Sequence, residues 1–225
     1  MRRAMVLLAL AFGGAGCFAV HDLDSPYPID DFDNGSYQPA DPNFQPWGCY
    51  LVNALPNDPN NQYKCALGAG DQSQYALALD FQLDDPPDGI TQDIGAGLQT
   101  KARSPEDFTG LKHLAFDVML SSGNPPLPAT AKFYVYLGCS SAAADDGSVP
   151  GNLAVVYSET AGVYWRTWSI NLSDFSSPSW SSIHIEGGTE ACLKRVDSIQ
   201  FEIDAGLSDG TMGAGTLSVD DIYFE

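Results

Sequence analysis

The sequence has few basic residues, since 10 Lys and Arg stand against 29 Asp and Glu and the formal net charge is −19 at pH 7. A surface with this charge repels phosphate groups, which argues against nucleic-acid binding and against electrostatic docking on anionic membranes. The same charge keeps an exported protein soluble and attracts divalent cations. We therefore expect no nucleic-acid partner, and no membrane contact except through a covalent anchor.

The sequence also lacks the motifs of common hydrolases. It has no Gly-x-Ser-x-Gly elbow and no His-Glu-x-x-His zinc motif, and no motif pairs an acid with a base across a cleft. The histidines His21, His113 and His184 are scattered, so they do not define a Ser-His-Asp triad. These absences predict a protein that is not an enzyme. A glycoside-acting enzyme is the weaker alternative.

A sustained helical period is missing as well, and apolar–polar alternation takes its place. The clearest case is Gln74–Leu83, which indicates a half-buried strand. Further strands are predicted at Ile29–Phe32, Tyr50–Val52, Ile94–Thr100, Leu111–Leu120, Ala131–Cys139, Val155–Ser158, Tyr164–Leu172, Val196–Asp204 and Thr216–Glu225. One helical turn is predicted at Ser104–Phe108, where Ser precedes Pro and acidic residues follow. Strands at such regular spacing are typical of a single all-β domain, a sandwich or a barrel.

An apolar run, Ala4–Phe12, follows two arginines and precedes small residues that end at Cys17. It is too short to span a bilayer and has the pattern of a secretory signal. The cysteine after Gly-Ala-Gly resembles the lipobox of bacterial lipoproteins, which implies a lipid on Cys17, and Phe18 after it implies sorting to the outer membrane. The resemblance divides the chain into a signal peptide at 1–16, a lipidated tether at 17–28 and a folded domain at 29–225. An ordinary secreted protein is the alternative.

Four further cysteines are an even number in a chain that we expect to be exported, which suggests disulfides with three possible pairings. We favour Cys49 with Cys65, which staples the polar loop between them. We pair Cys139 with Cys192 because one ends a predicted strand and the other precedes one, so antiparallel neighbours would bring them together. Zinc is the weaker alternative, because the sequence has no Cys-x-x-Cys pair.

Two similar acidic strings open and close the predicted domain, at Ile29–Asp33 and around Asp220 and Asp221. A carboxylate within an apolar run is costly unless a cation or hydrogen-bond donors satisfy it. We therefore hypothesise that the two strings are neighbours that close one β-sandwich, with a metal as one way to join them.

The order of the strand motifs resembles that of galactose-binding-like jelly rolls. The motifs are Ile29–Asp33, Asp107–Val118, Trp165–Phe175, Val196–Phe201 and Leu217–Phe224. The most similar families are the family-eleven carbohydrate-binding modules and the related domain of the complex I intermediate-associated protein. The resemblance implies a two-sheet antiparallel jelly-roll sandwich. It also implies a structural calcium held by Asp31, Asp33 and Asp220, and less securely by Asp221, with backbone carbonyls.

The same resemblance implies a glycan on the concave sheet, where aromatic faces and planar polar groups would bind it. The candidate ligand-binding residues on the faces away from the core are Tyr134, Tyr136, Asp117, His113, Gln200 and Glu202, and Asp80 is a further candidate. Tyr134 and Tyr136 stand on one side of a strand, about 7 Å apart, which could span neighbouring sugar rings. Trp47, Trp165 and Trp180 are predicted to form a rim, and Trp168 to lie in the core. The alternative is an envelope protein whose partner is another protein.

Overall fold

The computed structural model describes residues 26–53, 59–84, 92–139, 151–158, 164–178, 185, 187–207 and 210–225. The strands are β1 Tyr27–Asp30, β2 Gly48–Val52, β3 Gln62–Gly68, β4 Ala76–Leu83, β5 Ile94–Glu106, β6 His113–Ser122, β7 Lys132–Cys139, β8 Gly151–Ser158, β9 Arg166–Asn171, β10 Val196–Gly206 and β11 Gly213–Phe224. A 3-10 turn at Leu172–Asp174 and a short helix, α1, at Gly188–Leu193 complete the described elements. In this part of the chain, no helix is both long and apolar enough to cross a membrane.

The strands form two antiparallel sheets that pack face to face. The first sheet has the order β3-β4-β11-β6-β9, with β1 added to the end of β11, and the second has the order β2-β5-β10-β7-β8. Strands that are adjacent in a sheet are mostly distant in the chain, as in β10 between β5 and β7. The fold is therefore the predicted jelly-roll sandwich.

Alternation along each strand sends one set of side chains into the space between the sheets. On β4, Leu77, Leu79 and Leu83 are fully buried, whereas Asp80 and Gln82 point outward and are exposed. Phe201 on β10 packs against Phe116 and Phe133, with ring centroids 4.9 and 6.5 Å away. The core thus confirms the inward faces that the period-two pattern predicts.

The first and last strands are neighbours, as the acidic strings suggested. Tyr27 pairs with Phe224 and Asp30 with Ile222 across an antiparallel ladder. The ladder between β11 and β4 ends at Val219, and β1 pairs with β11 beyond that point, from Ile222 to Phe224. Both acidic strings therefore lie together where β1 meets the end of β11, the central strand of the first sheet.

Both predicted disulfides are present. Cys49 on β2 and Cys65 on β3 have Cα atoms 5.9 Å apart, so this bond joins the edge strands of the two sheets. Cys139 at the end of β7 pairs with Cys192 in α1, with Cα atoms 5.2 Å apart. Because β7 and β10 are antiparallel neighbours, the segment before β10 reaches the end of β7, as predicted.

Several local predictions were wrong. Ser104–Phe108 is not helical, because β5 continues to Glu106 and pairs there with Val196. The sequence analysis did not predict β3, which contains Cys65, or the short helix α1 that precedes β10. The first strand begins at Tyr27, two residues earlier than predicted.

Some predictions lie outside the described residues. These concern the signal peptide at 1–16, lipidation of Cys17, most of the tether at 17–28, His21, Trp180 and His184.

Candidate functional site

The predicted ligand-binding residues fall on two different surfaces. Tyr134 and Tyr136 on β7 lie beside Glu202 and Gln200 on β10, all on the outer face of the second sheet. Asp117 and His113 lie instead on β6 in the first sheet. The structure therefore brings Tyr134, Tyr136, Gln200 and Glu202 together. It separates Asp117 and His113 from them, contrary to the prediction of one shared site. Alternation gives the side of a strand but not the sheet to which that strand belongs.

Strand register builds the outer face of the second sheet. Glu202 lies opposite Tyr134, and Gln200 lies opposite Tyr136. Each of these tyrosines on β7 therefore has a planar polar side chain beside it on β10. On the other side of β10, Gly97 lies opposite Glu202 and Tyr50 lies opposite Gly97. A side chain on Gly97 would collide with the Tyr50 ring, so this glycine leaves room for the ring to lie across β5.

Tyr50 and Asp204 complete the group, and sequence reasoning did not assign them to the site. The Tyr50 hydroxyl donates to Glu202 Oε2 at 2.9 Å, and more weakly to Gln200 Oε1 at 3.4 Å. Asp204 follows Glu202 by two residues on the same face of β10. The two-residue spacing from Glu202 could have predicted that Asp204 belongs to this face. The position of Tyr50, by contrast, depends on the pairing of β2 with β5, which the sequence does not show. Tyr50, Tyr134, Tyr136, Glu202 and Asp204 are called the tyrosine–carboxyl cluster below.

The two carboxyl groups of the tyrosine–carboxyl cluster are held away from water. Burial, and then the charge of Asp204, raises the pKa of Glu202. Burial and the charge of Asp93 raise the pKa of Asp204, against the opposing effect of Lys132. Lys132 itself bonds to Asp93 at 2.9 Å. Two close carboxyl groups in a desolvated site favour a shared proton over two charges.

The tyrosines of the cluster act as hydrogen-bond donors. Burial raises the pKa of Tyr50, Tyr134 and Tyr136, so their hydroxyls keep their protons at neutral pH. Tyr136 donates to Glu202 Oε1 at 3.4 Å. The phenol hydroxyls of Tyr50 and Tyr136 and the carboxyl group of Glu202 therefore form one hydrogen-bonded network.

The tyrosine pair is more enclosed than the sequence suggested. Tyr134 and Tyr136 are only 4% and 8% exposed, and their rings stack on each other with centroids 5.6 Å apart and an interplanar angle of 12°. They form a buried group with Ala154, separate from the core between the sheets. The rings therefore do not stand apart as separate platforms for neighbouring sugars.

A more open depression lies on the other side of the molecule. A groove of ≈ 300 Å³ crosses the first sheet, and its lining includes Tyr63, Lys64, Asp80, Gln82 and Thr216. Tyr63 is 47% exposed, and Thr216 fixes Asp80 with a 2.6 Å hydrogen bond. Asp80 thus lies in this groove and not beside the predicted tyrosines.

The predicted tryptophan rim is only partly described. Trp47 is 4% exposed and belongs to the core, where its indole N–H donates to Asp30 Oδ2 at 2.9 Å. The rim prediction is therefore wrong for Trp47. Trp165 is half-buried just before β9, and Trp168 packs inward against Phe133, as predicted.

The acids predicted to bind calcium lie near one another but do not form a ligand set by themselves. Asp31 Oδ1 accepts from the Asp33 N–H at 3.1 Å, and Asp33 Oδ1 accepts from the Gln74 N–H at 3.3 Å. Within the described ranges, no three His, Cys, Asp or Glu side chains form a group that could hold a metal ion. A calcium site here needs other oxygen donors, so calcium binding stays a prediction.

Carboxylates are nevertheless crowded where β1, β6 and the end of β11 meet in the first sheet. Burial, and then the charges of acidic neighbours, raises the pKa of Asp221 to about 6. Those neighbours are Asp31, Asp33, Asp117 and Asp220. Asp117 Oδ1 is buried without a hydrogen-bond partner among the described residues, which fits an additional cation or proton at this place.

Comparison with known proteins supports the fold. No family model and no curated protein matches the sequence. Among solved structures, the chain is similar to the family 11 carbohydrate-binding module of the cellulosomal cellulase Lic26A-Cel5E of Clostridium thermocellum. The TM-score is 0.55 at 14% identity, over 88% of this chain and 93% of that one.

A second structure is the family 11 module from Clostridium thermocellum in complex with a β-1,3-1,4-mixed-linked tetrasaccharide. It gives a TM-score of 0.54 at 14% identity, over 88% of this chain and 94% of that one. At this identity the likeness concerns architecture. The chain therefore has a jelly-roll fold like that of carbohydrate-binding modules.

Proposed function

We propose that the protein is a non-catalytic glycan-binding protein whose ligand contacts the outer face of the second sheet. The observation that carries the proposal is the tyrosine–carboxyl cluster, which lies outside the core between the sheets. Three tyrosines and two carboxyl groups lie together on this outer sheet face. Phenol donors and carboxyl acceptors are suited to sugar hydroxyls, and the jelly roll is like that of modules that bind glycans.

The face would bind through hydrogen bonds more than through extensive ring stacking. Tyr50 is half-buried and lies over Gly97, so its ring is the most accessible aromatic surface of the cluster. Gln200 is also half-buried beside it and offers an amide. The buried Tyr134 and Tyr136 would then support the contact surface from beneath.

Affinity electrophoresis in gels that contain soluble polysaccharides tests this proposal. The wild-type protein should be retarded by at least one glycan, and Tyr50→Ala should weaken that binding by about tenfold or more, as expected for a central contact. Tyr63→Ala, in the groove of the first sheet, is the matched control and should leave retardation unchanged. Circular dichroism of both variants checks that they fold.

Two results would count against the proposal. Absence of retardation by any glycan, or loss of binding with Tyr63→Ala but not with Tyr50→Ala, removes the assigned face. The first result would favour the alternative function, an envelope protein that binds a protein partner. The observation that supports this alternative is the burial of Tyr134 and Tyr136, because buried rings have little surface left to contact a sugar.

We propose further that the protein is exported and held at the bacterial outer membrane by a lipid on Cys17. The leader pattern supports this, and so do two disulfides, since such bonds persist in oxidising compartments. Mass spectrometry of the mature N-terminus should show a lipid-modified Cys17 and no residues before it. Recovery of Cys17→Ala from the membrane fraction in wild-type amounts would contradict the anchor.

A further inference from the structure

The two carboxyl groups of the tyrosine–carboxyl cluster are bonded to each other. Glu202 and Asp204 stand two residues apart on one face of β10, and they are 6% and 9% exposed. Their side chains form a hydrogen bond, and one oxygen of each lies within 3.4 Å of the position that a Cβ on Gly95 would take. Two carboxyl groups can form such a bond only if one of them keeps a proton.

The charges around this pair leave it short of positive charge. On one side of β10, Gly95 lies opposite Asp204, and neither it nor Gly97 brings a charge. On the other side, Lys132 lies opposite Asp204. Lys132 also bonds to Asp93 at 2.9 Å, so its charge is divided between two acids. A shared proton therefore costs less than a second negative charge on the pair.

Neutral phenols complete the surroundings of Glu202. Tyr50 donates to Oε2 at 2.9 Å, Tyr136 donates to Oε1 at 3.4 Å, and Tyr134 lies opposite Glu202 in register. None of these groups is a cation. Tyr50 is the most accessible ring of the cluster, so a ligand that rests on it would also cover the carboxyl group to which it donates.

We propose that glycan binding at this face requires the proton that Glu202 and Asp204 share, so that the affinity for glycan falls as the pH rises. This inference rests on the function proposed above. A glycan that covers the face excludes water from the carboxyl pair, and a second negative charge costs more where water is excluded. The complex therefore holds the proton more tightly than the free protein does. By reciprocity, the proton strengthens glycan binding.

Isothermal titration calorimetry between about pH 5 and about pH 9 tests the proposal. The probe is a neutral polysaccharide, β-glucan, xyloglucan or galactomannan, that retards the wild-type protein in affinity electrophoresis, because a neutral ligand does not itself titrate. The dissociation constant should stay level at low pH and then rise by up to about tenfold per pH unit, the limit for one linked proton. In that rising range, titrations in buffers with different ionisation heats should show uptake of up to about one proton per glycan bound.

Two substitutions outside the cluster should move the profile in opposite directions. Lys132→Met removes the positive charge opposite Asp204, so the pH at which binding weakens should rise by about half a unit or more. Asp93→Asn removes a negative charge beside Asp204, so this pH should fall by a similar amount. Both variants break the same ion pair, so damage to the fold that is common to both cannot produce opposite shifts.

The possible results separate this proposal from the glycan-binding function on which it rests. A pH-independent dissociation constant without proton uptake would overturn the proposal, and so would variants whose profiles move in the same direction or not at all. The glycan-binding function would stand in those cases, since binding itself is observed. Absence of binding by every polysaccharide at every pH would remove both. Circular dichroism at each pH checks that the proteins are folded.

Discussion

The tyrosine–carboxyl cluster predicts a pH-dependent loss of stability that can be assigned to Glu202. Burial and the neighbouring Asp204 raise the pKa of this carboxyl group above its ordinary value of 4.5. When the pKa of a carboxyl group is higher in the folded protein than in the unfolded protein, the group contributes most to stability at pH values below its unfolded pKa. That contribution is lost as the pH rises through the pKa of the folded protein.

Replacement of Glu202 by glutamine imitates the protonated carboxyl group at every pH. The amide keeps an oxygen that can accept from Tyr50, whose hydroxyl lies 2.9 Å from Glu202 Oε2, and it gains donors for Asp204. A tenfold difference in proton affinity between the folded and unfolded states is worth about 1.4 kcal/mol. We therefore expect Glu202→Gln to raise the free energy of unfolding by about 1–3 kcal/mol at pH 8, and to change it by less than about 0.5 kcal/mol at pH 4.

Urea denaturation followed by tryptophan fluorescence at the two pH values measures this difference, provided that the m-value is unchanged. Glu190→Gln is the matched control, since Glu190 in α1 is exposed and pairs with Lys194 at 3.1 Å. Its effect should stay within about 0.5 kcal/mol at both pH values. Equal effects of Glu202→Gln at pH 4 and pH 8, or destabilisation at pH 8, would refute the reasoning about the buried carboxyl pair.

Two further predictions concern stability. Replacement of both Cys49 and Cys65 by serine should lower the free energy of unfolding by about 2–4 kcal/mol. The reason is that the disulfide closes a chain separation of 16 residues and joins the two sheets. An unchanged free energy of unfolding in urea denaturation would contradict this role. Gly97→Ala should cost about 1–3 kcal/mol, because the Tyr50 ring would have to move. Gly48→Ala, with open space around it, should have a smaller effect, and similar midpoints for the two variants would contradict the packing argument.

The sequence predicted much of the architecture because period-two alternation reports burial directly. The inward face of β4 and the pairing of Cys139 with Cys192 both followed from local pattern and strand direction. The pairing of the first strand with the last followed from their matching acidic strings. These features require little knowledge of strand order.

The predictions that were wrong required contacts between distant segments. Pro105 after Ser104 suggested a helix start, but pairing with β10 keeps this segment extended. Trp47 stands among loop-forming residues, yet a hydrogen bond to the buried Asp30 holds it in the core. Strand order determined the site too, since it placed Asp117 away from the tyrosines and brought Tyr50 to them.

Nuclear magnetic resonance of protein with ¹³C-labelled tyrosine rings tests the central claim most directly. During titration with a glycan that retards the protein, the account predicts that the ring signals of Tyr50, Tyr134 and Tyr136 shift with saturation while that of Tyr63 stays in place. Shifts confined to Tyr63, or binding that leaves all three cluster tyrosines unchanged, would contradict the assignment of the outer face of the second sheet as the glycan-binding surface.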